Sequence, residues 1–455
     1  NCANAAVIDS YISDFHSVGY DTQAINGTNG PGPFKIINNY LEAAGENIMF
    51  GGATPGILTN VPADIVIRGN YFFKPYTWKV GHATYAGTHW TIKNLFELKT
   101  GIRVLFDGNI LENSWADLPI GQSGAAIVLT VRAEGGAYAN AKVGDITISN
   151  NIIRHCGAGV GLSGHDDGYP SSNQTQRVKF YNNLFEDING PAFGDGNIYG
   201  PNDGTLIKLG DASDVQIDHN TMLQTGPITW VYEISDNFKF TNNLCHAFMS
   251  AGNYQGLYGP GYAQGGNFPM GNFFPDLTDA SLRFHKNVLI GSSSSNYSNY
   301  ASNSQNYFPV AVTDVGFVDY NNGPADYHNY ALSALSTYHN YATDGTDIGV
   351  DFNKLDLALS PATYDCTLVG LVQNNSEQKH FSIHYLGDNN FNIVLPENSI
   401  IPVSYEIFSV SGQLVKTGSI ETNSTILQFS EMNPGVYFFN ILDKERQGVR
   451  KIVVQ

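Results

Sequence analysis

Eight segments of this chain repeat one short pattern: FKIINNYL (34–41), IVIRGNYF (65–72), VLFDGNIL (104–111), ITISNNII (146–153), VKFYNNLF (178–185), VQIDHNTM (215–222), FKFTNNLC (238–245) and LRFHKNVL (282–289). Each alternates an apolar with a mostly polar residue and meets an asparagine at its sixth place. The asparagines are residues 39, 70, 109, 151, 183, 220, 243 and 287, spaced by 23 to 44 residues, and VIDSYI (7–12) carries Ser10 in the same place. Self-similarity at such a period is the mark of a solenoid. The period-2 alternation makes the repeating unit a strand rather than a helix.

Alternation turns the apolar members of FKF or ITI toward one face, hence toward a core. The asparagine falls where the chain must bend, and Asn tolerates the left-handed conformation better than most residues. With coils stacked about 4.8 Å apart, its amide reaches its counterpart on the next coil, as amide ladders do in stacked sheets. The expected fold is therefore all-β, a right-handed parallel β-helix of about nine coils. A β-sandwich with Asn-rich hairpins is the competing architecture, and the uneven spacing argues against a propeller. Spacings well beyond the roughly twenty residues of a bare coil imply long loops, where function is expected.

Charged residues make up only 14% of the 455, Gly accounts for 48 and aromatics for 12%, a mix suited to an extracellular, turn-rich sheet protein. A net charge of −18 with 23 basic residues argues against nucleic acid and anionic membranes as partners. The four cysteines (2, 156, 245 and 366) lack metal-ligand spacing, and Cys156 and Cys245 follow ladder strands, which predicts buried free thiols. No apolar run reaches membrane-spanning length. Residue 1 already reads as part of a coil, so a leader and an N-terminal cap are expected to precede it.

The body is expected to span residues 1–360, followed by a linker at 361–380 and a second domain at 381–455. Within the body, 291–306 (GSSSSNYSNYASNSQN) reads as an exposed polar loop. The stretch ATDGTDIGVDFNKLDLA (342–358) resembles the closing coil of bacterial β-helix proteins, in which a Gly/Asp turn leads into a terminating helix. Its Asp344, Asp347 and Asp351 leave Ca2+ open as a cofactor, with a capping turn the stronger reading; no other metal or cofactor is indicated. The last segment changes to alternating strands with Gly-containing turns, which predicts a small β-sandwich. Its Val410-Ser411-Gly412-Gln413-Leu414-Val415, Asn433-Pro434-Gly435-Val436-Tyr437 and terminal Lys451-Ile452-Val453-Val454 resemble the C-terminal sorting domain of the type IX secretion system of Bacteroidota. That resemblance implies export through the type IX machinery, with the body secreted or anchored at the cell surface.

Each coil should also carry a strand before the turn into its ladder strand: ENIMFGG (46–52), NLFELKT (94–100), AIVLTVR (126–132), GVGLSG (159–164), LIKLG (206–210) and WVYEIS (230–235). Aligning Leu98, Leu209 and Ile234 as inward places Glu97, Lys208 and Glu233 outward, with Lys99 and Arg132 one outward step beyond. On this alignment Lys99 neighbours Arg132 and Lys208 neighbours Glu233. The loop GHDDGYPSS (164–172) adds His165, Asp166 and Asp167, and Tyr76, Trp78, Trp90, Trp115 and Tyr169 are candidates for stacking on sugar rings.

Charges along one strand column, overhung by loops, are how β-helix enzymes grip polysaccharides. Elimination on a uronate polymer needs a base, Lys99 or Lys208, and a cation such as Arg132 to neutralise the carboxylate. Hydrolysis needs two carboxyl groups, for which Asp166 with Asp167, or Glu97, are candidates. The bland readings are a cross-strand ion pair for Lys208 and Glu233 and turn chemistry for Asp166 and Asp167.

The stretches 21–52 and 90–117 and the closing ATDGTDIGVD resemble bacterial right-handed β-helix proteins related to pectate lyases. VQIDHNTM resembles the Ile-Asp-His stretch of pectate lyases, but His219 stands where other coils have Asn, Gly or Lys, a structural position. The polygalacturonase signature is not reproduced. The expectation is a secreted protein acting on an extracellular polysaccharide as a lyase or hydrolase, with a non-catalytic adhesin or glycan-binding module as the alternative, since the fold hosts all of these.

Overall fold

The structure is a computed structural model that describes residues 2–198, 203–231, 233, 235–247, 249–250, 253–254, 283–294, 305–360, 381–387, 389–395, 399–409, 414–433, 435–443 and 446–454. The linker expected at 361–380, most of the polar loop, Cys366 and the sorting-motif residues 410–413 and 434 lie outside them. The chain divides into two units, Asn1–Val369 and Gly370–Gln455.

Among the described residues, the first unit winds through three parallel sheets, two of nine strands and one of seven. One coil illustrates the cycle. Phe34–Ile37 lies in the first sheet, a bend at Asn38 and Asn39 follows, Tyr40–Ala43 enters the second sheet and Glu46–Phe50 the third. Alternation sends Ile36, Leu41 and Ile48 inward, and the matching residues of later coils (Ile67, Phe72 and Phe96, then Phe106, Leu111 and Ile127) continue one apolar core.

The amide ladder is continuous. Asn39 donates through Nδ2 to Asn70 Oδ1, Asn70 to Asn109, Asn109 to Asn151, Asn151 to Asn183, Asn183 to Asn220, Asn220 to Asn243 and Asn243 to Asn287, at 2.8–3.2 Å. Each Oδ1 also accepts the backbone N–H of the previous rung, and Ser10 N–H joins by donating to Asn39 Oδ1 at 2.9 Å. A further rung, Asn306, accepts from Asn287 at 3.0 Å without a ladder-type strand before it in the sequence. The ladder asparagines themselves do not adopt the left-handed conformation. That role falls one residue earlier, on Asp9, Asn38, Gly69, Gly108, Asn150, Asn182, His219, Asn242 and Lys286, with φ between 52° and 64°. The division of labour is physical: the bend needs a residue tolerant of positive φ, and the next residue must point inward to stack. His219 therefore serves the bend, buried between Asp218 (3.1 Å) and the Thr346 hydroxyl (3.2 Å).

Residues 342–358 do not close the last coil. The Gly/Asp turn does lead into a helix, Phe352–Leu359 capped by Asp351, but the segment runs back along the outside of the second sheet. Its contacts pass from Asn242 (Thr343) to His219 (Thr346), then Asn182 (Asp351) and finally Gly108 (Ala358), against the direction of the coils. Val350 and Leu355 seal the outward-facing Ile152 and Leu184. This strap occurs because the outer face of the second sheet is apolar at Ile110, Ile152, Leu184, Leu244 and Val288 and must be covered. Asp344 accepts from Thr346, Asp347 from His339 and Asn340, and Asp351 from Lys354, so all three serve turns and caps. Among the described residues no cluster of His, Cys, Asp and Glu is placed to hold a metal ion.

Described by itself, the second unit is two antiparallel sheets. One joins Ser382–Gly387, Asn390–Val394 and Ser424–Gln428; the other joins Leu414–Ile420, Val403–Ser409, Gly435–Asp443 and Arg446–Val454. Phe391, Ile393, Tyr405, Ile407, Phe429 and Phe439 form the core between them. No helix among the described residues is long and apolar enough to cross a membrane.

Candidate functional site

The third sheet is the face on which charged and aromatic side chains collect. Its strands are Gln23–Gly27, Glu46–Phe50, Phe96–Leu98, Ala125–Thr130, Ala158–Ser163, Ile207–Leu209 and Thr229–Val231. Leu98, Leu129, Leu162, Leu209 and Val231 share the inward column. The outward column therefore runs Asn26, Met49, Glu97, Val128, Gly161, Lys208, Trp230. This corrects the alignment read from sequence, where Ile234 stood in the place that Val231 occupies. The three-residue slip reverses the faces of the last strand, so Trp230, not Glu233, lies opposite Lys208.

Two charged centres flank this column. At the first, Glu97 (7% exposed) shares a hydrogen bond with the fully buried Glu46. Lys93 Nζ sits 2.8 Å from Glu46 Oε1 and 2.7 Å from Asp21, Gln23 Nε2 donates to Glu46 at 2.7 Å, and Lys99 Nζ is 3.6 Å from Glu97. Burial pushes the Glu97 carboxyl up to about 7, against the Lys99 ammonium and with the help of Glu46. Burial acts the same way on Glu46, but the hydrogen bond from Glu97, the Lys93 ammonium and Gln23 outweigh it and bring that carboxyl down to about 2. The two carboxyls are thus pushed in opposite directions, and a proton shared between them favours Glu97. Glu46, Gln23 and Lys93 escaped the sequence reading. Glu46 opens the recognised strand ENIMFGG, yet strand pairing alone matches Glu97 with Met49.

The second centre, at Lys208, lies three coils beyond Glu97. Lys208 Nζ rests 4.6 Å from the centre of the Trp230 ring. Burial lowers the proton affinity of this lysine below the usual range, opposed by the carboxylates of Asp167 and Asp195. His165, on the loop leaving the Gly161 strand, pairs through Nδ1 with Asp211 Oδ2. Glu233 is exposed and adjoins Asp211; slight desolvation and then the charges of Asp211 and Asp167 hold its carboxyl above the ordinary range. A lysine poised nearer neutrality and a carboxyl that keeps its proton longer are the materials of general acid–base chemistry. Trp230 opens the recognised strand WVYEIS and Asp211 follows LIKLG, but neither was read as a site residue.

Between the centres, Arg132 and Lys99 are neighbours through the backbone, Arg132 N–H donating to Lys99 O at 2.9 Å. Their side chains go elsewhere, Lys99 toward Glu97 and Arg132 to Asp166 Oδ1 at 2.9 Å. Burial raises the Asp166 carboxyl, but the N–H groups of Ala133 and Gly168 and the Arg132 guanidinium outweigh it and hold Asp166 low. Asp166 is the anchor of its loop, since it also receives Ala133 N–H at 2.8 Å and gives its own N–H to Ser172.

The aromatic candidates separate in the same way. Trp78 and Trp115, each 5% exposed, are packed with Ala44 and Ile92 in a small core, which leaves no face for a sugar ring. Trp90 stacks on His16 at 3.8 Å, Tyr76 stacks on His82 at 4.6 Å, and Tyr169 lies against Gly136. The expectation of buried free thiols is met at Cys156 and Cys245.

No curated protein matches this chain. Residues 387–455 match the family model described as a secretion system C-terminal sorting domain. The parallel β-helix therefore ends in a type IX sorting tail, and the protein is exported to the cell surface or beyond it.

Proposed function

We propose that the protein engages a neutral extracellular polysaccharide along the outer face of the third sheet and hydrolyses it at the Lys208–Trp230 centre. The observation that carries this reading is the Lys208 ammonium over the Trp230 ring at 4.6 Å, with Asp167 acting both on that lysine and on a Glu233 carboxyl held above its usual range. Trp230 offers an apolar face to a sugar ring and Lys208 donates to its hydroxyls. Glu233 gives its proton to the departing glycosidic oxygen, and a carboxylate of the Asp167 and Asp211 set takes the proton of the attacking water. Elimination on a uronate fits less well. Two carboxylates, Asp167 and Asp195, already act on this one lysine, and Arg132, the intended neutraliser, is engaged by Asp166. The pairing of Arg132 with Asp166 and of Lys99 with Glu97 favours, as the second reading, a non-catalytic glycan-binding surface.

The test incubates the full chain with xylan, mannan and β-glucan and with pectin and alginate, with and without Ca2+, reading new reducing ends and the ultraviolet absorbance of unsaturated products. Hydrolysis yields reducing ends from a neutral polymer without absorbance, and Glu233→Gln lowers the rate by about 100-fold. Absorbance from pectin or alginate replaces hydrolysis by elimination. Retention of a polymer with no product of either kind replaces catalysis by binding.

A further inference from the structure

Six of the seven rungs of the outward column carry a side chain; the fifth, Gly161, does not. Glycine within a strand is unfavourable, because it packs nothing and loses the most backbone freedom on folding. Two structural reasons commonly retain it, and neither applies. The Gly161 backbone lies outside the left-handed region. A Cβ built there meets only Val128 Cγ2, at an ordinary 3.8 Å. The contrast with Gly159 on the same strand is sharp, for a Cβ at Gly159 would collide with Leu206 O, so packing alone demands glycine there. Glycine in a strand without a steric reason marks a place where something else approaches the backbone.

The neighbours define what approaches. Val128 stands one coil before and Lys208 one coil after, about 9.6 Å apart at two strand spacings. Lys208 is drawn toward Trp230, on the side away from Gly161. His165 emerges from the end of the same strand and pairs with Asp211. The gap thus has an apolar wall at Val128, a hydrogen-bond donor at Lys208 and a bare backbone floor.

We infer that Gly161 is the floor of a subsite for a single neutral pyranose ring, walled by Val128 on one side and by Lys208 on the other. The inference rests on the glycan reading above and deepens it by naming the residue that sets which rings fit. A β-branched side chain at 161 fills the subsite while suiting the strand better than glycine does.

The test compares the wild-type full chain with Gly161→Ala and Gly161→Val. Retention on xylan, mannan and β-glucan is measured by affinity electrophoresis, and thermal unfolding is followed in parallel. For whichever polymer the wild type retains, Gly161→Val weakens retention at least about tenfold, the scale of an added methyl group meeting a fitted pocket, with an unfolding temperature equal to or above wild type. Gly161→Ala falls between the two. Unchanged retention by Gly161→Val overturns the subsite and leaves the glycan reading intact. A clear drop in its unfolding temperature also overturns it, since Gly161 is then a packing residue. If the wild type retains none of the polymers, the glycan reading fails and this inference falls with it.

Discussion

Removing one interior rung of the amide ladder, Asn151→Ala, tests the architecture most directly. Asn151 Oδ1 accepts from Asn109 N at 2.8 Å and from Asn109 Nδ2 at 3.1 Å, and its Nδ2 donates to Phe106 O at 3.1 Å and to Asn183 Oδ1 at 2.8 Å. Alanine keeps the backbone N–H bond to Asn183 but loses these four. Two donors on Asn109, a backbone N–H and an amide hydrogen, are then left in a fully buried site. Each unpaired buried donor costs about 1–3 kcal/mol, so the substitution should destabilise the first unit by about 2–6 kcal/mol. Ser10→Ala at the first rung supplies the contrast. Its backbone N–H still reaches Asn39 and only the hydroxyl bond to Ile8 O is lost, so the cost should stay under about 1 kcal/mol. Guanidinium unfolding of the full chain measures both, and hydrogen exchange at the Asn109 amide shows whether the loss is local to that rung. Asn151→Ala costing no more than Ser10→Ala would mean that apolar packing, not the ladder, holds the coils in register.

Three further outcomes are expected. Glu97 keeps its proton to about 7 in the folded protein but loses it near 4.5 when unfolded, so its contribution is complete below 4.5 and is lost as pH rises through 7. Glu46, brought down to about 2, contributes above 4.5 and loses that contribution as pH falls toward 2. The thermal unfolding temperature should therefore fall between about pH 4.5 and 7 in wild type and flatten there in Glu97→Gln; an identical slope would remove the shared proton from the account. Lys74 is buried, with Nζ donating to the carbonyls of Ala43 (2.5 Å), Ala44 (3.1 Å) and Gly45 (2.5 Å). Lys74→Met strands these carbonyls and should cost about 3–5 kcal/mol, with exchange accelerated at residues 43–47; a loss under about 1 kcal/mol would show that water replaces the ammonium. Leu355→Ala should cost about 3 kcal/mol and loosen the strap while the coil amides stay protected, whereas the exposed Leu357→Ala should cost under about 0.5 kcal/mol; equal effects would show that the strap does not seal the sheet.

The site was less legible than the fold, for reasons visible at particular residues. In WVYEIS both Val231 and Ile234 are apolar, and they have opposite parity, so local alternation could not choose the inward residue. Pairing with Leu209 chose Val231 and brought Trp230 to Lys208. Glu46 and Glu97 meet off strand register, and no pattern along the chain announces that. Trp78 and Trp115 lie in long segments that read as exposed loops, but those segments fold onto Ala44 and Ile92 and bury them. Arg132 and Asp166 looked like free chemistry until their loops brought them within 2.9 Å.

What the chain itself determined was the repeating part. Period-2 alternation and an asparagine in one place per coil are local properties, and a stack of like coils reproduces each local choice in its neighbours, so the ladder from Asn39 to Asn287 and the sorting tail could be read directly. Tertiary structure alone decided the register of the third sheet, the return of residues 342–358 along the second, and the pairing of nearly every charge considered for chemistry. These depend on contacts between residues tens of positions apart, where an apolar surface left by one segment selects which distant segment covers it, and no short window of sequence contains both partners.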